Sequence, residues 1–339
     1  MAASKRILVT GGLGFIGSHI AVLLLQHGYQ VVIIDNLSNS HLYTLDAIAP
    51  LSPQPPHFIQ GDIRDPNALS HLFQQHAIDA VIHCAGLKAV GESVAHPLRY
   101  YDNNVNGTLC LLRAMENAKV HTLVFSSSAT VYGDPQQLPI PESHPLSSTN
   151  PYGQTKLTCE HLLHDWQHSQ PTARVLCLRY FNPVSAHPSG LLGENFSGSP
   201  NNLLPYVLQV ALGQRPALQV FGHDYSTVDG TGVRDYLHIM DLAHGHVLGL
   251  EYLLQRPHCY ECINLGTGQG YSVLQVVQAM ERAAQRPIPY TLQARRPGDV
   301  AATWADPTRA HQLLQWQANH TLDQMCIDAW RWAQHAVTL

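Results

Sequence analysis

Tyr152 and Lys156 are the residues with the most evident chemical potential, and they lie four positions apart in a segment that begins Asn150-Pro151. Asn150 suits a helix N-cap and Pro151 the first turn, so the two side chains are predicted to share one helix face. A phenol has an ordinary pKa of about 10, but a nearby ammonium group and the positive end of the helix dipole favour the phenolate. The spacing predicts a tyrosine that acts as acid and base; an ordinary exposed pair is the alternative.

A glycine-rich segment, Gly11 to Gly17, follows an apolar run at residues 6–10 and precedes a helical pattern over residues 20–26. In that context glycines let backbone N–H groups approach a pyrophosphate at a helix N-terminus. Asp35 ends the next apolar run about 20 residues later, where a carboxylate accepts hydrogen bonds from a ribose 2′-hydroxyl and repels a 2′-phosphate. The pattern predicts a site for NAD rather than NADP, with a tight turn that binds nothing as the alternative.

Three consecutive serines, residues 126–128, follow another apolar run. Ligands of open α/β sheets bind at the carboxyl ends of the strands, so a hydroxyl is expected beside the tyrosine.

The elements that must position these residues are short apolar runs that alternate with helical patterns. The runs lie at residues 6–10, 30–34, 80–84, 123–126 and 175–180. This alternation predicts an α/β protein with a Rossmann-like, doubly wound parallel sheet. Stretches rich in Pro, Gly and Asn begin near residue 182, which predicts an NAD-binding domain at 1–181 and a smaller C-terminal domain at 182–339. Segments near 233–265 could return to the first domain.

Composition restricts the class of protein. The 339 residues are 45% apolar and 13% charged, which is typical of a compact globular chain. The net charge is -5 without a basic stripe, so no nucleic-acid partner is expected. No apolar run approaches the roughly 18 residues of a membrane span, and residues 1–6 lack the apolar core of a secretory signal. Seven scattered cysteines suit reduced thiols, so a cytoplasmic protein is expected.

Cys259 and Cys262 have the spacing of half a zinc site, but no second pair completes it. No metal is therefore expected.

Several further segments extend the pattern over nearly the whole chain. Together with Gly11–Gly17, 126–133 and Tyr152/Lys156, the stretches 85–93, 102–108, 179–183 and 234–238 resemble the UDP-glucose 4-epimerase family of extended short-chain dehydrogenases/reductases. The similarity runs from about Arg6 to about Trp330.

The resemblance implies site residues by position. Tyr152 would be the acid and base, Lys156 would bond the nicotinamide ribose and tune Tyr152, and Ser128 would hydrogen-bond the reacting sugar hydroxyl. The positions that match NAD contacts are Gly11, Gly14, Phe15, Ile16, Gly17, Asp35, Asn36, Asp62, Ile63, Lys88, Asn103, Tyr152, Lys156 and Tyr180. The positions that match UDP-sugar contacts in the C-terminal domain are Asn182, Asn202, Leu203, Phe221, Arg234, Arg296, Asp299 and Thr303.

The resemblance also implies an activity: NAD-dependent interconversion of UDP-glucose and UDP-galactose through a 4-keto intermediate. Thr303 matches a position that is tyrosine in family members restricted to these two sugars and small in those that accept N-acetylated ones. We therefore expect UDP-GlcNAc and UDP-GalNAc as further substrates, unless Thr303 packs against Trp304 and another residue fills the pocket. Family members dimerise through helices that match 101–116 and 152–167, so a homodimer is expected.

Two other functions remain open at this stage. A nucleotide-sugar 4,6-dehydratase shares the fold and the first oxidation, but its relatives carry an acidic pair straight after the active-site hydroxyl residue. Here those positions are Ala129 and Thr130. A non-catalytic NAD-binding sensor would lose the tyrosine or the lysine, and this chain keeps both.

Overall fold

A computed structural model describes residues 4–195, 200, 202–296 and 298–336. The strands are β1 (Arg6–Thr10), β2 (Gln30–Asp35), β3 (His57–Gln60), β4 (Ala80–His83), β5 (Thr122–Ser126), β6 (Arg174–Tyr180), β7 (Asn182–Val184), β8 (Leu218–Phe221), β9 (Val233–Arg234), β10 (Tyr236–His238), β11 (Cys259–Leu265), β12 (Tyr271–Ser272), β13 (Tyr290–Gln293) and β14 (Ala302–Thr303). The α-helices are α1 (Phe15–Gln26), α2 (Tyr43–Ile48), α3 (Pro66–Gln75), α4 (Val90–Ala95), α5 (Pro97–Tyr100), α6 (Gly107–Asn117), α7 (Pro151–Ser169), α8 (Leu203–Ala211), α9 (Ile239–Leu254), α10 (Val273–Ala284), α11 (Thr308–Leu314) and α12 (Leu322–Ala336). A π-helical turn, Tyr101–Asn106, joins α5 to α6.

The centre of the fold is a seven-stranded sheet in the order β11-β6-β5-β4-β1-β2-β3. Every neighbouring pair in it is parallel. Six of these strands follow the order of a doubly wound dinucleotide-binding sheet, in which ligands bind beyond the carboxyl ends of the strands. The predicted α/β, Rossmann-like fold is therefore confirmed.

Alternating residues of each strand bury their side chains on opposite faces of the sheet. Ile7 and Val9 of β1 belong to one hydrophobic cluster, which includes residues of α1 and α9. Leu8 between them belongs to a second cluster, formed with α3, α6 and α7. Because both faces are covered, the strands read as nearly continuous apolar runs rather than as alternating ones.

Helix α1 begins at Phe15, five residues before the predicted start at residue 20. Phe15, Ile16 and Gly17 therefore belong to the helix and not to the turn before it. The missing side chain at Gly17 lets this first turn pack closely against the glycine turn, since a Cβ atom there would lie 2.3 Å from the carbonyl oxygen of Gly11. Gly11 itself adopts φ +65°, where side chains are strained.

The C-terminal part of the chain has a core of its own, formed by α8, α10 and α12 with residues of β8 and β10. Short sheets pair β7 with β10, β8 with β13, and β9 with both β12 and β14. Strand β11 instead lies beside β6 in the large sheet. The division of the chain near residue 182 stays a prediction.

None of the helices in the described ranges is both long and apolar enough to span a membrane.

Candidate active site

Helix α7 begins where the sequence predicts and positions the tyrosine and the lysine. The side chain of Asn150 accepts a hydrogen bond from the backbone N–H of Gly153 at 2.9 Å, and Pro151 opens the helix. Tyr152 and Lys156 follow one turn apart, and both side chains are buried. The N-cap thus fixes where on the helix the two functional groups project.

Lys156 connects α7 to the end of strand β5. Its Nζ donates a hydrogen bond to the carbonyl oxygen of Ser126 at 2.8 Å and lies 4.9 Å from the centre of the Phe125 ring. Burial lowers the pKa of this lysine. The ammonium group is nevertheless held at one place by an acceptor and an aromatic face.

The pKa of Tyr152 differs from the sequence-based expectation. Burial raises it to about 12, and a hydrogen bond with Ser128 only partly opposes that effect. Burial disfavours the phenolate because its charge loses solvation, and the ammonium group of Lys156 hydrogen-bonds to Ser126. Ionisation of Tyr152 through the combined charges of Lys156, the helix dipole and bound NAD⁺ stays a prediction.

The three serines after β5 point to three different partners. The side chain of Ser126 hydrogen-bonds to Nε2 of His246 at 2.9 Å, and that of Ser127 donates to Glu160 at 2.5 Å. Ser128 caps the 3-10 turn that follows, because its Oγ accepts from the backbone N–H of Thr130 at 3.2 Å. Ser128 is thereby left next to Tyr152, as predicted from the position of the serine run.

A buried ion pair behind Ser127 was not predicted from the sequence. Arg179 forms a bidentate hydrogen-bonded pair with Glu160, with a distance of 2.6 Å from Nη2 to Oε2. Glu160 lies on α7 two turns beyond Tyr152, so one helix face carries the tyrosine, the lysine and this carboxylate. A sequence pattern could have suggested the shared face, but not the partner on β6.

A cavity of about 580 Å³ opens beside the glycine turn, at the carboxyl ends of β1, β2 and β4. Its lining includes ten of the residues predicted to contact NAD: Gly11, Gly14, Phe15, Ile16, Gly17, Asp35, Asn36, Ile63, Lys88 and Asn103. Asp62 lies behind this wall and accepts a hydrogen bond from Asn36 at 2.9 Å. Tyr152, Lys156 and Tyr180 are buried and do not line the cavity described here.

The carboxylate of Asp35 fits the role predicted for it. Its Oδ1 accepts from the backbone N–H of Leu37 and the hydroxyl of Ser40, and its Oδ2 accepts from the backbone N–H of Leu13. A carboxylate has about four acceptor positions, so the described residues leave one for a donor from a ligand. The residues present therefore fit a dinucleotide with a free ribose hydroxyl.

Lys88 forms an ion pair with Glu194 at 2.6 Å, and its Nζ lies 5.9 Å from the centre of the Phe15 ring. Glu194 also lines the cavity, although the sequence did not single it out. The pair joins the loop after β4 to a segment that follows β7.

The residues predicted to hold the UDP moiety form smaller groups. Thr303 of β14 lies opposite Arg234 of β9 in a parallel pair. Arg296 lies 4.7 Å from the centre of the Phe221 ring and forms an ion pair with Asp299 at 3.0 Å. Asn182 begins β7 and Leu203 begins α8, while Asn202 also lines the large cavity. The structure thus brings some of these residues into contact with one another, but it does not place all of them in the lining of that cavity.

Within the part of the chain that the structure describes, no group of three or more His, Cys, Asp or Glu side chains could hold a metal ion.

Comparisons with known proteins agree with this geometry. Residues 8–329 match the family model described as GDP-mannose 4,6 dehydratase. A UDP-glucose 4-epimerase from Dictyostelium discoideum is 53% identical over 327 residues, which cover 96% of this chain and 95% of the relative. The fold resembles that of a Stenotrophomonas maltophila UDP-glucose 4-epimerase with bound NAD and formylated UDP-arabinopyranose (TM-score 0.96, 48% identity, 98% and 99% of the two chains covered).

A second solved structure is similar over its whole length. It is a Bifidobacterium longum UDP-glucose 4-epimerase in complex with NAD⁺ and UDP, with a TM-score of 0.94, 48% identity and 98% of each chain covered. The resemblance that the sequence motifs predicted is therefore confirmed. The chain belongs to the UDP-glucose 4-epimerase family.

Proposed function

We propose that this protein is an NAD-dependent 4-epimerase that interconverts UDP-glucose and UDP-galactose through a 4-keto sugar. One observation carries this proposal: Tyr152, Lys156 and Ser128 meet at the carboxyl end of the sheet, next to a cavity lined by the glycine turn and Asp35. Relatives with the same fold are UDP-glucose 4-epimerases, and two solved ones hold NAD.

Each residue has a distinct task in the proposed reaction. Tyr152 takes the proton from the 4-hydroxyl of the sugar and later returns it, while Ser128 hydrogen-bonds the same oxygen. Lys156 keeps a positive charge close to the tyrosine. When bound, NAD would supply the group that accepts a hydride from C4 and gives it back.

The buried phenol of Tyr152 can ionise near pH 7 only if its pKa is lowered. Lowering its pKa from about 12 to near 7 takes about 7 kcal/mol of differential stabilisation. The ammonium group of Lys156 and the positive charge of an oxidised nicotinamide are the sources that fit this site. We therefore expect Tyr152 to become a base only when the cofactor site is filled.

The sugar must rotate between the two hydride transfers, so the protein must bind the nucleotide more tightly than the sugar. Arg234 and Arg296 suit a diphosphate, because a guanidinium group can bind phosphate oxygens through two parallel hydrogen bonds. With UDP held, the 4-keto sugar can turn either face toward the cofactor site.

We extend the proposal to N-acetylated sugars because of Thr303. A threonine leaves space at the pocket wall that a tyrosine ring would occupy, and an acetamido group at C2 needs that space. The pairing of Thr303 with Arg234 supports its place on the substrate side of the site.

A 4,6-dehydratase is the second candidate, since the matching family model has such a description. Dehydration must remove water between C5 and C6, for which relatives use acidic residues after the active-site hydroxyl. Ala129 and Thr130 occupy these positions and cannot act as acids. The overall similarity to epimerases also favours the first candidate.

The test is a direct assay of purified protein with UDP-galactose and no added cofactor. We expect UDP-glucose to accumulate until the two sugars reach equilibrium. A 4-keto-6-deoxy sugar as the product would instead support the dehydratase, and no reaction of UDP-galactose would overturn the proposal.

A homodimer in the cytoplasm is part of the proposal. Val94 and Leu98 on α4 and α5 expose 64% and 82% of their surface beside the helices that match the family's dimer contact. All seven cysteines are free thiols, which suits a reducing compartment. Light scattering should give twice the chain mass, and Leu98→Asp should lower it; a wild-type monomer would contradict the assembly. Cell fractionation tests the location.

A further inference from the structure

We propose that Asp235 is the positioning residue of the substrate side: it holds together the three segments that carry Asn182, Arg234 and Thr303. This inference rests on the proposed function, which assigns those three residues to the UDP-sugar. It concerns a carboxylate that itself reaches no ligand.

The carboxylate of Asp235 is completely buried and fully hydrogen-bonded. Its Oδ1 accepts from the backbone N–H of Thr267 at 2.9 Å and from the Thr267 hydroxyl at 2.6 Å. Its Oδ2 accepts from the backbone N–H groups of Gly268 at 3.2 Å and Ala305 at 3.1 Å. All of its roughly four acceptor positions are used, so Asp235 has none left for a substrate.

The backbone of Asp235 adds two connections to the same segments. Its N–H donates to the carbonyl oxygen of Thr303 at 3.0 Å, and its carbonyl oxygen accepts from the N–H of Asn182 at 3.0 Å. Arg234 is its neighbour in the chain and lies opposite Thr303 in the β9·β14 pair. One residue therefore links three stretches that are far apart in sequence.

The carboxylate of Asp235 packs closely against the backbone of Gly266. A Cβ atom on Gly266 would lie 2.5 Å from Oδ2 of Asp235 and 2.6 Å from Cβ of Ala305. A buried carboxylate costs free energy unless hydrogen-bond donors surround it. These donors come from the loop at 266–268 and from Ala305, so both segments must keep their positions relative to Asp235. The relative positions of Arg234 and Thr303 are thereby fixed, and binding depends on such placement.

The test compares Asp235→Asn with Asp241→Asn in the NAD-loaded enzyme. Asp241 is a matched control because it is also buried and accepts three hydrogen bonds, from Asn319 N–H, His320 N–H and His320 Nδ1. An asparagine keeps the shape but turns an NH₂ group toward donors. We expect Asp235→Asn to raise the Kd for UDP and the KM for UDP-galactose roughly tenfold, with a much smaller change in kcat.

Asp241→Asn should lower Tm without changing KM, and bound NAD should stay at the wild-type level in both variants. An unchanged KM in Asp235→Asn, or an equal rise in both variants, would overturn the inference. If Asp235→Asn does not fold, Thr267→Val removes a single donor, and it must raise KM in the same direction. Failure of the wild-type enzyme to bind UDP would instead overturn the proposed function.

Discussion

Lys156 and Ser126 are joined by a hydrogen bond of 2.8 Å from the lysine Nζ to the serine carbonyl oxygen. This contact fixes helix α7 against the end of strand β5, and the run that continues from Ser126 carries Ser128. The acid–base residue, its neighbouring cation and the hydroxyl are therefore placed by one helix and one strand end. Sites built on such regular elements are held more precisely than sites on loops.

Replacing Tyr152 with phenylalanine removes the proposed acid and base while preserving the buried ring. Turnover should fall by about 10²–10⁴, as expected for a lost general base. UDP binding and NAD content should stay near wild type, because the hydroxyl is the only group lost. Steady-state kinetics and titration with UDP give both values. Near-normal kcat in Tyr152→Phe would remove this residue from the mechanism.

The cofactor prediction follows from the acceptor position that the described residues leave open on Asp35. Wild-type protein that is denatured after dialysis should release NAD⁺ or NADH, close to one per chain. Asp35→Asn should weaken NAD binding about 10–100-fold, since a hydrogen bond to a charged acceptor is worth about 1.5–3 kcal/mol. Its relative affinity for NADP should rise, because the repulsive charge is gone. A wild-type enzyme that requires added NADP would contradict this assignment.

Thr303 is predicted to decide which sugars are accepted. The wild-type enzyme should interconvert UDP-GlcNAc and UDP-GalNAc, and Thr303→Tyr should suppress that activity while it retains the glucose and galactose pair. The matched control is Thr303→Ser, which keeps the site open and should keep both activities. Values of kcat/KM for both sugar pairs decide the matter. No wild-type turnover of the N-acetylated pair would show that another residue closes the pocket.

His83 predicts a pH dependence of stability. Its Nδ1 accepts from the Thr10 hydroxyl at 2.7 Å, and its Nε2 donates to Oγ1 of Thr108 at 3.0 Å, since the Thr108 hydroxyl itself donates to a carbonyl. A protonated Nδ1 could no longer accept this hydrogen bond, so the Thr10 hydroxyl would have to turn its hydrogen away from the ring. Burial, with the charge of Lys156, lowers the pKa of His83 from 6.5 to about 3.

The sign follows from linkage. Between these two pKa values the unfolded chain binds one more proton than the folded one at this residue. The free energy of unfolding should therefore fall by about 1.4 kcal/mol per pH unit below pH 6.5 on account of His83. The Tm of His83→Gln should decline less steeply from pH 7 to 5 than that of wild type. The Tm of the control His168→Gln, at an exposed position, should decline as steeply as that of wild type. Identical slopes for all three proteins would refute the role of His83.

The sequence predicted those parts of the site that depend on local spacing. Asn150 and Pro151 defined the start of α7, and the glycine segment with Asp35 defined the cofactor cavity. The sequence could not predict the partners of Asp235, Glu160 and His83, because each hydrogen-bonded pair joins residues from distant parts of the chain and leaves no periodic signal. The raised pKa of Tyr152 was missed for a related reason: burial depends on packing by elements far away in sequence.

The most direct test of the central claim is a reaction with UDP-galactose in D₂O, followed by NMR, without added cofactor. Tyr152 exchanges only the proton on the 4-hydroxyl, while the hydrogen on C4 travels as a hydride that never meets solvent. We predict UDP-glucose that carries protium at C4. Deuterium at C4 would show that the carbon is deprotonated instead, and would contradict epimerisation through a 4-keto sugar.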